Sequence, residues 1–249
     1  MNEAQNWSEL PLASVDVETT GLDPQSDRVI EVAIIHMRGG VEEERWSSLI
    51  NPQCDLPPEV TRITGICAED LVNAPTFDTV CDEVQTRLKD RILVAYNLDF
   101  DRAFLKQELE RAGRTWKELT YVDPLVFARE LHRTQGSKRL TAVAERLGIE
   151  LKQAHRAADD AFAAAQVLYA FAPQLPATLG ELKLLQSQWA TKQENERAAW
   201  KNRRDSGIES VIGSGDGQRT SLGPAYIYGE ETDPVRAMFL HLPDSGSRR

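Results

Sequence analysis

Two acids separated by one residue, Asp16 and Glu18 in "SVDVETTGLDP" (14–24), end an apolar run and are followed at once by Thr-Thr-Gly. Side chains alternate along a strand, so both carboxylates project from one face, roughly 7 Å apart along the chain. Like charges at that spacing repel, and burying them is costly unless a cation or a proton compensates. The pair therefore reads as a place built for metal ions. Two further acidic clusters share this character. In "VAYNLDFDRAFLKQEL" (94–109), Asp101 has the helical phase of Phe104, Leu105 and Leu109 and is expected to face inward. Asp99 runs with Arg102, Ala103 and Lys106, and is expected to cap the helix or face solvent. In "AHRAADDAFAAAQVLYAF" (154–171), Asp160 shares the stripe of Ala164, Val167, Leu168 and Phe171, whereas Asp159 lies nearer Gln166. His155, just before that helix, is placed to reach the same region. One inward carboxylate at a helix start can be explained by the helix dipole and free amides, but three independent cases strain that account.

The elements that must position these acids are readable from periodicity. A first strand ends at the D-x-E pair. "RVIEVAIIHM" (28–37) and "VEEERWSSLI" (41–50), joined by Gly39-Gly40, predict a hairpin. "TFDTVCDEVQTRLKD" (76–90) places Phe77, Val80, Val84 and Leu88 at helical spacing, and "RILVAY" (91–96) predicts a short buried strand. Helices are expected over 100–112, 124–132, 138–147 and 156–171. This is the pattern of an α/β domain with a mixed sheet covered by helices. The compact domain is expected to cover residues 1–172, and 173–249 to form a C-terminal extension. Within the extension, 178–204 predicts a long polar helix with Leu182, Leu185 and Trp189 on one stripe. "SGIESVIGSGDGQRTSLGP" then reads as a flexible linker. Residues 222–243, with Tyr226, Ile227, Tyr228, Met238, Phe239 and Leu240 as apolar anchors, are expected either to dock a protein partner or to fold back on the domain.

The chain of 249 residues carries 29 Lys and Arg against 39 Asp and Glu, a net charge of −10. Such a balance argues against an acidic partner, except that clustered metal-binding carboxylates inflate the acid count and bound divalent ions would offset them locally. Basic groups that could guide a polyanion are Arg102, Lys106, Arg111, Arg114 and Lys117 in one segment, and Arg129, Arg133, Lys138 and Arg139 in another. No stretch approaches the length of a membrane span and the N-terminus lacks a basic start and apolar run, so a cytoplasmic protein with no membrane partner is expected. Cys54, Cys67 and Cys81 lack paired ligand spacing and are expected to be structural thiols. His36, His132 and His241 fit no motif.

The joint order of "DVETTG" (16–21), "YNLDFD" (96–101) and "HRAADD" (155–160), with the connecting "NPQCDLPPEVTRITGICAEDL" (51–71), resembles the DEDDh 3′→5′ exonucleases, over roughly residues 10–172. That family includes the proofreading subunit of bacterial replicative DNA polymerase, ribonuclease T and oligoribonuclease. The resemblance implies a ribonuclease H-like mixed β-sheet flanked by helices. It implies that Asp16, Glu18, Asp101 and Asp160 bind two divalent ions, Mg²⁺ or Mn²⁺, with His155 as general base on the attacking water. Thr19, Thr20, Gly21, Leu22 and Asn97 would contact the terminal nucleotide, Leu22 as a wedge against the last base. The implied reaction removes nucleoside 5′-monophosphates from 3′ ends, with DNA favoured over RNA. An RNA-trimming exonuclease and a nuclease-fold adaptor in a nucleoprotein complex are the alternatives. Tyr96 stands where relatives often carry histidine.

Overall fold

The computed structural model describes residues 2–151 and 155–205. A five-stranded sheet forms its centre, built from β1 (Leu12–Thr19), β2 (Val29–Arg38), β3 (Val41–Leu49), β4 (Ile92–Val94) and β5 (Tyr121–Val122) in the order β3-β2-β1-β4-β5. β2 and β3 form the expected hairpin. Its turn residues Gly39 and Gly40 have φ of +58° and +79°, a pair of left-handed conformations that glycine adopts without a Cβ clash. β1 and β2 run antiparallel, whereas β1–β4 and β4–β5 are parallel. The chain therefore leaves β1 toward one edge of the sheet and returns on its other side at β4. Open α/β sheets bind ligands outside the strand ends where the order reverses in this way. Between the two halves of the sheet come α1 (Pro58–Thr64), α2 (Ala68–Leu71) and α3 (Phe77–Leu88), of which only the last has the length to show a helical period in the sequence.

The remaining helices are α4 (Leu98–Arg111), α5 (Pro124–Leu131), α6 (Leu140–Arg146), α7 (Ala157–Phe171) and α8 (Leu179–Asp205). They cover both faces of the sheet, so β1 is buried nearly throughout instead of alternating between core and solvent. Ala13, Val15 and Val17 pack with Phe77 and Val84 of α3 and with Phe104 and Leu105 of α4. Leu12 packs on the opposite side with Leu168 and Phe171 of α7 and Leu182 of α8. The even-numbered face of β1, on which Asp16 and Glu18 lie, is thus the α7 face. The far half of α4 is tied to the start of β2 by Glu108, whose buried carboxylate receives Arg28 at 2.8 and 3.0 Å and the Val29 amide at 3.2 Å.

The helix expected over 178–204 is α8, and its first turns join the core instead of leaving it. Leu179 and Leu182 are buried, and Trp189 meets Phe127 edge-on with ring centroids 5.9 Å apart. The N-terminal residues clasp the same segment: Trp7 donates from its indole to the Pro176 carbonyl at 2.9 Å and from its backbone to Ala177 at 3.1 Å. The boundary placed at 172 therefore runs through packed structure, because the stripe of Leu182, Leu185 and Trp189 covers α5 and α7. The linker, the segment 222–243 and His241 lie outside the described residues. Among the described residues no helix is long and apolar enough to cross a membrane.

Most of the basic side chains considered as guides for a polyanion have structural partners. Arg102 pairs with Asp99 and lies over Tyr121, and Arg114 pairs with Asp82. Arg111 donates to the carbonyls of Pro24, Gln25 and Asp27, and Arg133 pairs with Glu196 of α8. Lys138 is buried, and Arg139 alone of the nine lines the cleft described next.

Candidate active site

β1, α4 and α7 converge on one cleft at the carboxyl ends of β1 and β4. Asp16, Glu18, Asp101, Asp160 and His155 all line it, with Thr19, Tyr96, Asn97, Phe100, Arg139 and Thr141. From β1, Asp16 is half-buried and Glu18 is 6% exposed, and the register with β2 shifts between Glu18 and Thr19. A bulge of this kind ends regular pairing and re-aims the side chains beside it. β4 stops at Val94, so the edge of β1 beyond Ser14 has no strand neighbour on that side. The carboxylate of Asp101, 3% exposed, fills the place of one: its Oδ1 accepts the Val17 amide at 3.0 Å. Asp101 faces inward as its helical phase predicts, while Asp99 is solvated and paired with Arg102. The cap position of α4 belongs to Asn97, in the left-handed region at φ +70°, which asparagine tolerates better than most residues.

α7 brings in the other side of the cleft. Alanines at 157, 161, 163, 164 and 165 are all buried and let the helix approach the sheet closely. Ser14 fits beneath it and donates to the Ala161 carbonyl at 2.6 Å. The N-terminus of α7 is clamped by Glu31, the β2 residue opposite Glu18 in register. Its buried carboxylate receives Arg156 at 3.0 and 3.3 Å and the Ala157 amide at 3.2 Å. This pairing raises the Arg156 guanidinium further above its ordinary value. Just ahead of the clamp, His155 has φ +64°, a left-handed conformation that costs a non-glycine residue of order 1 kcal/mol or more. Its amide donates to Asp160 Oδ2 at 3.0 Å, which holds the strained residue in place. Asp159 turns away and pairs with Arg45 at 2.9 Å.

Glu18, His155 and Asp160 each present a ligand atom, and these atoms lie within 4.8 Å of one another. Hard divalent cations take oxygen ligands at about 2.0–2.6 Å, so one ion can span such a set. Asp16 and Asp101 add two more carboxylates to the same wall. Among the described residues that line the cleft, Arg139 is the one with a permanent positive charge. The donor set therefore suits divalent metal.

Three residues that the sequence left without a role hold the cleft's other wall. Tyr96, whose phenol is pushed up by burial, donates to the Lys138 carbonyl at 2.6 Å, and Arg146 donates to the carbonyls of Gln135 and Ser137. These bonds pin the loop that presents Arg139. Asp123 caps α5 by accepting Leu125 N–H at 2.9 Å and also accepts Asn97 and Leu98 N–H, each at 3.1 Å. Desolvation pushes its carboxyl up to about 6, against the opposing pull of these donors. "VDP" signals an N-cap followed by proline, but the second use of the carboxylate has no local signature.

Lys138 yields a pH test of this loop. Its ammonium donates to the Gly136 carbonyl, and desolvation, with Arg146 nearby, pushes it down to about 8. A lysine with a depressed folded pKa costs stability while charged, and that cost fades as pH rises from about 8 toward the unfolded value of 10.5. Lys138→Met is therefore expected to raise Tm at pH 7, with the gain shrinking by pH 10.5. Thermal melts across that range check it; a gain independent of pH would show that the charge is not what costs stability.

Thr19 and Asn97 line the cleft, whereas Thr20, Gly21 and Leu22 lie in the turn beyond β1 and are not among its lining residues. There the Thr20 hydroxyl accepts the Arg28 amide at 3.0 Å and donates to Asp27 at 3.3 Å. A Cβ at Gly21 would stand 2.5 Å from Asp27 Cγ, so a larger residue there would have to displace the Asp27 carboxylate from Thr20 and the Asp23 amide.

The family model RNase_T, described as exonuclease, matches residues 14–168, the whole stretch that builds this cleft. The chain belongs to this exonuclease family. It is 35% identical over 172 residues to the PolC-type DNA polymerase III of Thermotoga maritima, covering 69% of this chain and 12% of that protein. It is 34% identical over 156 residues to the 3′-5′ exonuclease DinG of Staphylococcus epidermidis, covering 63% of this chain and 17% of that one. The chain thus spans under a fifth of the length of these relatives. Among solved structures, E. coli exonuclease I in complex with a dT13 oligonucleotide superposes with a TM-score of 0.60 at 20% identity, over 66% of this chain and 41% of that one. Exonuclease X in complex with 5′ overhanging duplex DNA superposes with a TM-score of 0.58 at 20% identity, over 70% of this chain and 99% of that one. The mixed sheet flanked by helices is the ribonuclease H-like exonuclease fold.

Proposed function

We propose that this chain is a metal-dependent 3′→5′ exonuclease that removes nucleoside 5′-monophosphates from single-stranded or frayed 3′ ends of DNA. The observation that carries the reading is the convergence of Asp16, Glu18, Asp101, Asp160 and His155, from three separate elements, in one cleft of an exonuclease-family fold. Asp16, Glu18, Asp101 and Asp160 would hold two divalent ions, Mg²⁺ or Mn²⁺, which supply Lewis acidity and charge neutralisation at the scissile phosphate. His155 takes the proton of the attacking water, and the bond from its amide to Asp160 keeps the imidazole at the cleft. Phe100 offers a ring face on which the terminal base stacks, Thr19 and Asn97 offer polar groups to the nucleotide, and Arg139 offers a charge to a phosphate. DNA is the favoured substrate because the relatives include DNA polymerases and the structural neighbours were solved with DNA.

The deciding experiment incubates the chain and Mg²⁺ with 5′-labelled DNA and RNA oligonucleotides, single- and double-stranded. A ladder shortening from the 3′ end, faster on single-stranded DNA, is expected; cleavage of RNA alone would reassign the substrate, and full-length oligonucleotide in every lane would refute a nuclease. His155→Ala is expected to slow turnover about 10² to 10⁴-fold with much less effect on DNA affinity. Raising the pH should recover part of that rate, since hydroxide then needs no imidazole. A variant whose rate stays flat between about pH 7 and 9.5 would make His155 a positioning group instead.

A further inference from the structure

β5 is one of the two edge strands of the sheet. On one side it pairs with β4, Leu93 with Tyr121 and Val94 with Val122. Along its other side Gln186 of α8, buried, turns its side-chain amide to the strand. Oε1 accepts the Asp123 amide at 2.7 Å, and Nε2 donates to the Tyr121 carbonyl at 3.4 Å. A primary amide carries the donor and acceptor of a peptide group, so Gln186 serves the strand edge as a further strand would. The residue it holds is the one whose carboxylate receives Asn97 and Leu98 N–H, the cap and first residue of α4. Asp101 follows within the next turn, where it takes the Val17 amide of β1. A continuous line of hydrogen bonds thus runs from α8 through Asp123 to the helix turn that lines the cleft.

We propose that Gln186 is a positioning residue for the cleft: from outside the family-matched stretch, it fixes Asp123 and thereby the first turn of α4, which presents Asn97 and Asp101. The inference rests on the nuclease reading of that cleft. Apolar side chains at this place would pack but could not bridge a donor and an acceptor at once. Glutamate would offer no donor to Tyr121 and would add a charge near Asp123.

The test compares Gln186→Met with the unaltered full chain in two measurements. In hydrogen–deuterium exchange without metal, the segment 97–101 is expected to exchange about tenfold faster, with α7 unchanged. With Mg²⁺ and labelled single-stranded DNA, kcat is expected to fall about tenfold while KM stays within about twofold. Leu182→Val, which loosens α8 by packing alone, is expected to lower Tm without altering kcat or the protection of 97–101. Wild-type kcat in Gln186→Met, or faster exchange spread evenly over the domain, would overturn the proposal. If that variant does not fold, Asp123→Asn approaches the link from its other end, since one of the two α4 amides must then lose its acceptor; unchanged protection of 97–98 would overturn the proposal equally. Absence of nuclease activity in the unaltered chain would overturn the proposed function and not this link, which the exchange pattern then upholds or refutes by itself.

Discussion

Asp16→Ala, Glu18→Ala, Asp101→Ala and Asp160→Ala are each expected to lower exonuclease turnover on the order of 10³-fold or more, because each removes a carboxylate that no neighbour can replace. Their effects on stability should differ. Asp16 and Glu18 are like charges on one strand face, so removing either relieves repulsion and is expected to raise the Tm of the metal-free protein slightly, whereas Asp160 also accepts the His155 amide and its removal brings no such gain. Asp101 is different because its carboxylate is also the acceptor for the Val17 amide at a strand edge that β4 does not reach. Asp101→Ala leaves that buried donor without its acceptor, a loss of about 1–3 kcal/mol, and is expected to lower Tm by several degrees. Asp101→Asn keeps an oxygen for Val17 and should melt near the unaltered chain while remaining inactive. Asp99→Ala and Asp159→Ala, whose carboxylates pair with Arg102 and Arg45, are expected to keep their activity. An inactive Asp159→Ala beside an active Asp160→Ala would reverse the assignment on α7.

Cutting the chain after residue 172 is expected to lower Tm by 10 °C or more, or to yield insoluble protein. The cut removes Leu179 and Leu182 from the core, strips Trp189 from Phe127 and deprives Trp7 of both carbonyl acceptors. Burial of one large apolar side chain is worth about 1.5–3 kcal/mol, so several losses together exceed 5 kcal/mol, and in a domain of this size each kcal/mol shifts Tm by roughly 2–4 °C. Cutting after residue 205 keeps every one of these contacts, so the difference in Tm between the two truncations reports what the segment through α8 contributes. Melts and solubility of the two truncations decide the matter. If the shorter one behaved like the longer, α8 would be a tether and the boundary at 172 would stand.

The inward direction of Asp101 and Asp160, and the outward direction of Asp99 and Asp159, were open to reading from the sequence alone, because helical phase relative to neighbouring apolar residues reports which side a residue occupies. The shared face of Asp16 and Glu18 followed likewise from the twofold period of a strand. The β2–β3 hairpin announced itself by a glycine pair that follows a β-branched run. What those local periods cannot encode is which distant segment meets which. α1, α2 and β5 are shorter than any period can reveal, and β5 is defined by its partners β4 and Gln186 more than by its own two residues. The stripe on α8 showed an apolar face but not that α5 and α7 lay beneath it. Three of the nine basic side chains that composition offered to a polyanion, Arg111, Arg114 and Arg133, proved to be committed to carbonyls and carboxylates far away in sequence, and Arg139 is the one of the nine that lines the cleft. Asp123 reads locally as the cap of α5, and only tertiary structure gives it the amides of Asn97 and Leu98 from 26 and 25 residues earlier. Side-chain type and spacing determined the chemistry this chain can perform. Hydrogen bonds and packing between segments that share no local pattern decided how that chemistry is held in place, because those contacts exist only once the chain has folded.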